Sequence, residues 1–431
     1  MNKRIVRAAF VACLLGTAAI LLVGAPLSPA FAADKPAADT GPKVTAPVGK
    51  ILVPAQKLLA ALDYADALPL IKTAQALPDL PPYDIYTINN FLASAYLGLK
   101  DYDNAYIAYE AMTASPAMPD GDKAGTLHNA TLLSAQLKHY DTAISHGQAF
   151  IALGGPPNMS VLSTMAQSYY YSKDFDNAAV FAQKAIDATP AGQAPTRGAL
   201  EIKFGAQVGA KKKADAEATL ETILTYYDDP DEWAQLIDLS LGVNGIKAVD
   251  AMHMYRLRML TKATGTSDDY TIAAAMALSV GYPVEAENTL NAGLAAGKVD
   301  HNAKNNAQIA DTRARAAKDR STIAGFDGVA RKSADGELDL RLAETYYAYG
   351  RFADSAEAAR RALTKGGAKN DHNEANMVLA ESLLRDGKTA EAVAAFNALS
   401  NPTPGMARAQ HIWLLYANRK YGDAAAPAPA H

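Results

Sequence analysis

A small residue returns along this chain at an almost constant interval. Alanine stands at 67, 105, 143, 178, 216, 251 and 286, at steps of 38, 38, 35, 38, 35 and 35. A period of that size marks a repeated supersecondary unit, because one such unit cannot bury its own apolar face and must stack on its neighbours. The clearest unit runs from Val161 to Pro190. Leu162, Met165, Ala166 and Tyr169 fall at i, i+3, i+4 and i+7, one face of a helix. The polar corner Lys173-Asp174-Phe175-Asp176-Asn177 interrupts that pattern before Ala178, Phe181, Ala182, Ala185 and Ile186 resume it. Pro190 ends the second helix by denying it an N–H. The spacing predicts an antiparallel helical hairpin with more apolar surface than two helices can hide.

The same pattern recurs on both sides. Lys100-Asp101-Tyr102-Asp103-Asn104 and Lys138-His139-Tyr140-Asp141-Thr142 repeat the corner, each followed by the small residue. We expect hairpins throughout 49–301. Over 302–333 charges are dense and Gly325 and Gly328 interrupt the periodicity, which predicts either a degenerate hairpin or a flexible seam. Hairpins resume over 334–402, with Leu342, Ala343 and Tyr346, then Leu379, Ala380 and Leu383. A single helix over 403–420 would cover the last hairpin with Ile412, Trp413 and Leu415. The segments 33–48 and 421–431 are rich in Ala and Pro without period and read as a flexible lead and an unfolded tail.

The Val161–Pro190 unit resembles the tetratricopeptide repeat. Leu162, Met165, Ala166, Tyr169, Ala178, Ala182, Ala185 and Pro190 occupy that family's signature positions, and Ala182 departs from it where a bulky side chain is usual. The resemblance implies an all-α superhelix, a solenoid of stacked antiparallel hairpins whose first helices line a groove. Carried over by register, the groove positions include Asn90 and Ser94, then Gln167, Tyr170 and Tyr171, and in the later hairpins Glu344, Tyr347, Glu381 and Arg385. Tyrosines beside amides and carboxylates suit a peptide or protein segment. The Lys and Asn clamp of chaperone-binding members is missing, since the matching positions hold Asn90, His128, Ser163, Leu340 and Met377.

No catalytic signature accompanies the repeats. The chain has no phosphate-cradling or dinucleotide glycine motif, no His-Glu-x-x-His and no Gly-x-Ser-x-Gly. His139 and His146 read as solvated, and Asp228, Asp229 and Asp231 as a polar turn before a helix. We therefore expect no enzyme, no metal and no cofactor. The alternatives are an accessory subunit of an envelope polymer-processing enzyme and a glycan or small-molecule binder.

Residues 1–32 read as a secretory signal. Lys3, Arg4 and Arg7 precede an uncharged run from Ala8 to Gly24, and Ala30-Phe31-Ala32 offers a cleavage site. A retained anchor is the other reading, at the short limit of a spanning helix. Cleavage would remove three cations and no acids, taking the formal charge from −4 to −7, so a nucleic-acid partner is disfavoured and no stable membrane insertion would remain. It would also remove Cys13, the one cysteine, which excludes disulfides and thiolate sites from the mature chain. The expected setting is a bacterial periplasm or the exterior, with a protein or peptide partner.

Overall fold

The computed structural model describes residues 42–420, apart from residue 243 and residues 368–370. The segments 1–32 and 421–431 lie outside the described residues, as does 33–48 up to residue 41. The described residues form 20 α-helices and no strand, and they divide into two compact units, one ending at Thr219 and one beginning at Leu220.

In the first unit, α1 (Ala46–Ala60) pairs with α2 (Tyr64–Gln75), α3 (Pro82–Gly98) with α4 (Tyr102–Thr113), α5 (Asp120–Gln136) with α6 (Tyr140–Ala152), and α7 (Met159–Tyr171) with α8 (Phe175–Asp187). Helix α9 (Arg197–Gly209) follows, and the division falls within α10 (Lys213–Tyr226). Helix α1 starts inside the segment expected as a flexible lead. Pro47 sits in its first turn, where a missing N–H costs nothing, and Val48 is fully buried. Thr45 anchors this start by donating its N–H and hydroxyl to the Asp84 carboxylate, at 3.0 and 2.6 Å.

Each corner is built the same way. At Lys173 the backbone turns left-handed, φ 63°, and Asp174 N–H reaches back to Tyr169 O while Lys173 N–H bonds Tyr170 O. This is the Schellman arrangement, which satisfies carbonyls that a helix end leaves bare. Asp174 then caps the next helix by accepting from the Asn177 N–H and side-chain amide. Asp101 and Asn104 repeat the cap after left-handed Lys100. Beyond the corner the helix crossing closes on the recurring alanine: Ala67, Ala105, Ala143, Ala178 and Ala286 have no exposed surface.

The second unit holds α11 (Pro230–Leu241), α12 (Ala248–Leu260), α13 (Ser267–Val280), α14 (Pro283–Ala295), α15 (Ala303–Lys332), α16 (Glu337–Ala348), α17 (Phe352–Lys365), α18 (His372–Arg385), α19 (Thr389–Asn397) and α20 (Pro404–Ala417). The segment expected to be a degenerate hairpin or a seam is one continuous helix of 30 residues, α15. Gly325 and Gly328 weaken it by about 1 kcal/mol each, but bonds to the protein hold it along its length. Gln308 donates to Thr271 O, Asp319 accepts from the Tyr349 hydroxyl, and Lys365 donates to Ala330 O.

Helix α20 covers the last hairpin, with Trp413 beside Phe396, but it also returns to the first hairpin of its unit. Trp413 Nε1 donates to His253 O on α12 at 2.9 Å, and Tyr416 packs edge-on against Trp233 of α11. The buried Asp250 carboxylate lies at the starts of both α12 and α20, accepting from Lys247 N–H and the Thr403 hydroxyl. The second unit is thus closed on itself, its last helix resting on its first pair.

Replacing Ala178 with leucine should overfill the crossing of α7 and α8 and destabilise the protein by about 1–3 kcal/mol. The shift in urea midpoint measures it, and a wild-type midpoint would show that the crossing is not tight.

Candidate functional site

Where the nine expected groove residues lie depends on the unit. Tyr171 and Arg385 hold the same repeat position, and both meet an aromatic ring from the preceding corner. The Tyr171 ring stacks on Tyr140, centroids 5.2 Å apart, and the Arg385 guanidinium lies 4.4 Å from the Phe352 ring centre. Tyr140 and Phe352 are the first residues of α6 and α17. At two other boundaries the position is glycine. A Cβ on Gly98 would lie 2.4 Å from the Tyr64 ring, and one on Gly209 2.8 Å from the Phe175 ring. So this position sets how one hairpin seats on the next. Tyr171 remains half exposed, while Tyr170 packs against Phe175 and Gly205.

Asn90, Ser94 and Gln167 are half-buried on the first helices of the first unit. Ser94 turns inward and donates to Asn90 O. The side-chain amides of Asn90 and Gln167 have no bonding partner among the described residues. Each leaves a donor and an acceptor at partly accessible positions.

Glu344, Tyr347 and Glu381 are buried inside the second unit. They point inward as their register implies, but there they meet α12 and α14. His253 of α12 donates from Nδ1 to Glu381 at 2.7 Å and from Nε2 to Glu374 at 3.0 Å. With a carboxylate at each nitrogen the ring is an imidazolium. Arg256, one turn on, grips Glu285 of α14 with two bonds of 2.8 Å and reaches Glu381 at 3.0 Å. Its guanidinium lies over the Tyr347 ring at 4.3 Å and near that of Tyr282 at 5.5 Å. Four carboxyls, of Glu285, Glu344, Glu374 and Glu381, thus surround two cations.

Burial alone would lower the His253 pKa, yet the charges of Glu374 and Glu381 raise it to about 10. Burial, and then the Glu374 charge, push Glu344 up to about 7, although the Tyr282 hydroxyl and Arg256 oppose this. An excess of buried carboxyls is relieved by keeping one partly protonated. Sequence reasoning missed His253, Arg256 and Glu374, which are joined across α12 and α18 by bonds between residues more than a hundred positions apart. His146, expected at the surface, is also buried, 2.7 Å from Glu110. Its position in α6, facing α4, explains the difference. His139 is exposed and stacks on Tyr106.

Among the described residues no group of three or more His, Cys, Asp or Glu side chains is arranged to hold a metal ion. No helix among them is long and apolar enough to cross a membrane. Asp229 caps α11, accepting from the N–H groups of Asp231 and Glu232.

The tetratricopeptide repeat pattern matches residues 55–119 and 340–407. Both stretches carry the tetratricopeptide repeat pattern. The first covers most of α1 to α4 and the second α16 into α20. Among solved structures, the chain is similar to a tetratricopeptide repeat protein from Parabacteroides merdae, at 14% identity over 62% of this chain and 98% of that one, with a TM-score of 0.33. It is similar to a chain of Naa15/Naa10 bound to HypK-THB, at 13% identity over 86% of this chain and 67% of that one, TM-score 0.29. A chain of the APC/C hetero-tetramer Cut9-Hcn1 matches at 12% over 86% and 71%, TM-score 0.24. None of the curated proteins matches the chain.

Two outcomes follow from the packing of these repeats. Gly98→Val should destabilise the protein by about 1–3 kcal/mol, and Tyr64→Ala in the same chain should recover part of that loss. Strictly additive effects in the double variant would show that the two positions do not touch. The second outcome concerns pH. Glu344 holds its proton to about pH 7 when folded but loses it near pH 4.5 when unfolded, so its contribution to stability falls as pH rises through that window. His253, raised from 6.5 to about 10, contributes fully below pH 6.5 and loses that contribution as pH rises to 10. Hydrogen exchange of α16 and α18 amides should therefore speed up from pH 5 to 8, after correction for intrinsic rates, and Glu344→Gln should flatten the rise below pH 7. Equal slopes in the variant would remove Glu344 as its cause.

Proposed function

We propose that this chain is a non-catalytic scaffold that holds a polypeptide segment along the first helices of the first unit, in the envelope of a bacterium. The unpartnered amides of Asn90 and Gln167 carry the reading. An extended peptide offers alternating N–H and C=O groups, and an Asn or Gln side chain can meet one of each. In the second unit the positions matching Gln167, Glu344 and Glu381, are committed to internal contacts, and those matching Asn90, Leu340 and Met377, are buried, which leaves the first unit as the open face. Tyr171, half exposed at the end of α7, would add apolar contact.

Two features support a role without catalysis. The His253 ring, the most strongly perturbed histidine, has both nitrogens taken and no exposed surface, so it has nothing to present to a substrate. The repeat architecture of 55–119 and 340–407 serves as an interaction frame. The envelope setting rests on the basic head, apolar run and small-residue site of residues 1–32.

The test is recovery of a partner from a periplasmic extract with the full mature chain, followed by affinity measurement. Asn90→Ala with Gln167→Ala should weaken that complex about tenfold or more, with stability within about 0.5 kcal/mol of wild type. Unchanged affinity would place the partner elsewhere, and turnover by the purified chain alone would overturn the non-catalytic reading.

A further inference from the structure

The connections between hairpins in the first unit are not equivalent. Leu80 and Met118, each thirteen residues after the recurring alanine, at 67 and 105, turn inward and pack on the core. After Ala143 the same place is Pro156, in the run Gly154-Gly155-Pro156-Pro157. The step across this connection is 35 residues, whereas the steps before it are both 38. The apolar side chains of the run stay exposed: Leu153 is 44% exposed, Pro156 and Pro157 are exposed at the edge of a cavity, and nothing lies within 4 Å of where a Cβ on Gly154 or Gly155 would be. What remains is a cavity of about 320 Å³ at the ends of α6 and α8 and the start of α7. Phe150, Ile151, Pro157, Val161, Leu162 and Ala188 give it an apolar wall.

We infer that this cavity receives one aliphatic side chain, methionine or leucine, from a bound polypeptide, much as Met118 and Leu80 pack on the core from within the chain at the two preceding connections. The inference rests on the scaffold reading for the presence of a polypeptide partner and adds a second, separate anchor point. The volume is at the small end of ligand pockets, about 300–1,000 Å³, which suits a single anchoring side chain. Ile151, 42% exposed, extends the apolar surface at the mouth.

Charge at the rim narrows the partner further. The Lys184 ammonium lies 4.4 Å from the Phe181 ring centre and has no carboxylate partner among the described residues, while Asp187 accepts the Gln183 amide at 2.7 Å. A segment with an acidic residue just beyond its anchoring side chain would pair with Lys184. The chain's own plug has that form, Met118-Pro119-Asp120.

A dye-labelled peptide copying residues 114–120, Ala-Ser-Pro-Ala-Met-Pro-Asp, is the probe, titrated into the full mature chain by fluorescence anisotropy. Saturable binding is expected, weakened about tenfold or more when the peptide methionine becomes serine, since that removes one buried aliphatic side chain. Pro156→Met and Ala188→Met fill the cavity from two of its lining positions, and either variant that keeps wild-type helicity should abolish binding. No binding at millimolar peptide, or equal binding after the cavity is filled, overturns the inference. Binding lost in the Asn90→Ala, Gln167→Ala variant but kept in the filled ones would assign the peptide to the first-helix face. That result would sink the cavity and leave the scaffold reading standing.

Discussion

Everything in this protein depends on how near two helix axes can come. A helix pair joined by a tight corner presents apolar stripes on both sides, and these are dry only if the next pair fits against them without voids. The recurring alanine removes the side chain that would hold the axes apart, and Ala67, Ala105, Ala143 and Ala178 are buried completely as a result. Around each such point the large residues Leu92, Leu133 and Met165 fill the adjoining space. Seating of one pair on the next has its own device, an aromatic ring at the start of a second helix laid on the last turn of the following first helix. Tyr64 on Gly98 and Phe175 on Gly209 show its limit, where any side chain at all would collide.

The second unit solves a different problem. By bringing α20 back onto α11 and α12 it turns an inner face into an interior, so polar groups that would face water in an open stack must find partners inside. Burying ions carries a large desolvation penalty that attraction between them offsets only with good geometry. His253 and Arg256 provide that geometry by tying α12 to α14 and α18. Such a network adds less to stability than an apolar core of the same size would, but it admits few alternative arrangements. The proton that Glu344 keeps to about pH 7 is what remains of a charge imbalance the two cations do not cover.

How much of this could be read beforehand follows from distance along the chain. The hairpin and its corner are local, so Lys173 to Asn177 announce themselves within five residues. Tyr64 and Gly98 are a full repeat apart, and a glycine there looks like any other helix end. His253 and Glu381 are 128 residues apart, and α12, with Met252, His253, Met254 and Arg256 together, shows no clean stripe because it is buried on several sides. The glycines of α15 misled for the opposite reason: local propensity argued for a break, and tertiary bonds at both ends overrode it. Asn90 and Gln167 were legible only as register positions, and what sets them apart from Glu344 and Glu381 is the closure of the second unit, which no local pattern encodes.

The corners carry one more consequence. In the first unit the left-handed residue at the corners is Leu62, Lys100, Lys138, Lys173 and Lys211, whereas in the second glycine takes that place at 281, 350 and 387 and lysine only at 262. Lysine is a poor occupant of that conformation, and at all four corners of the first unit it is exposed. An enzyme that cuts after basic residues would find Lys100, Lys138, Lys173 and Lys211 spaced about one hairpin apart and could divide the first unit along its own joints.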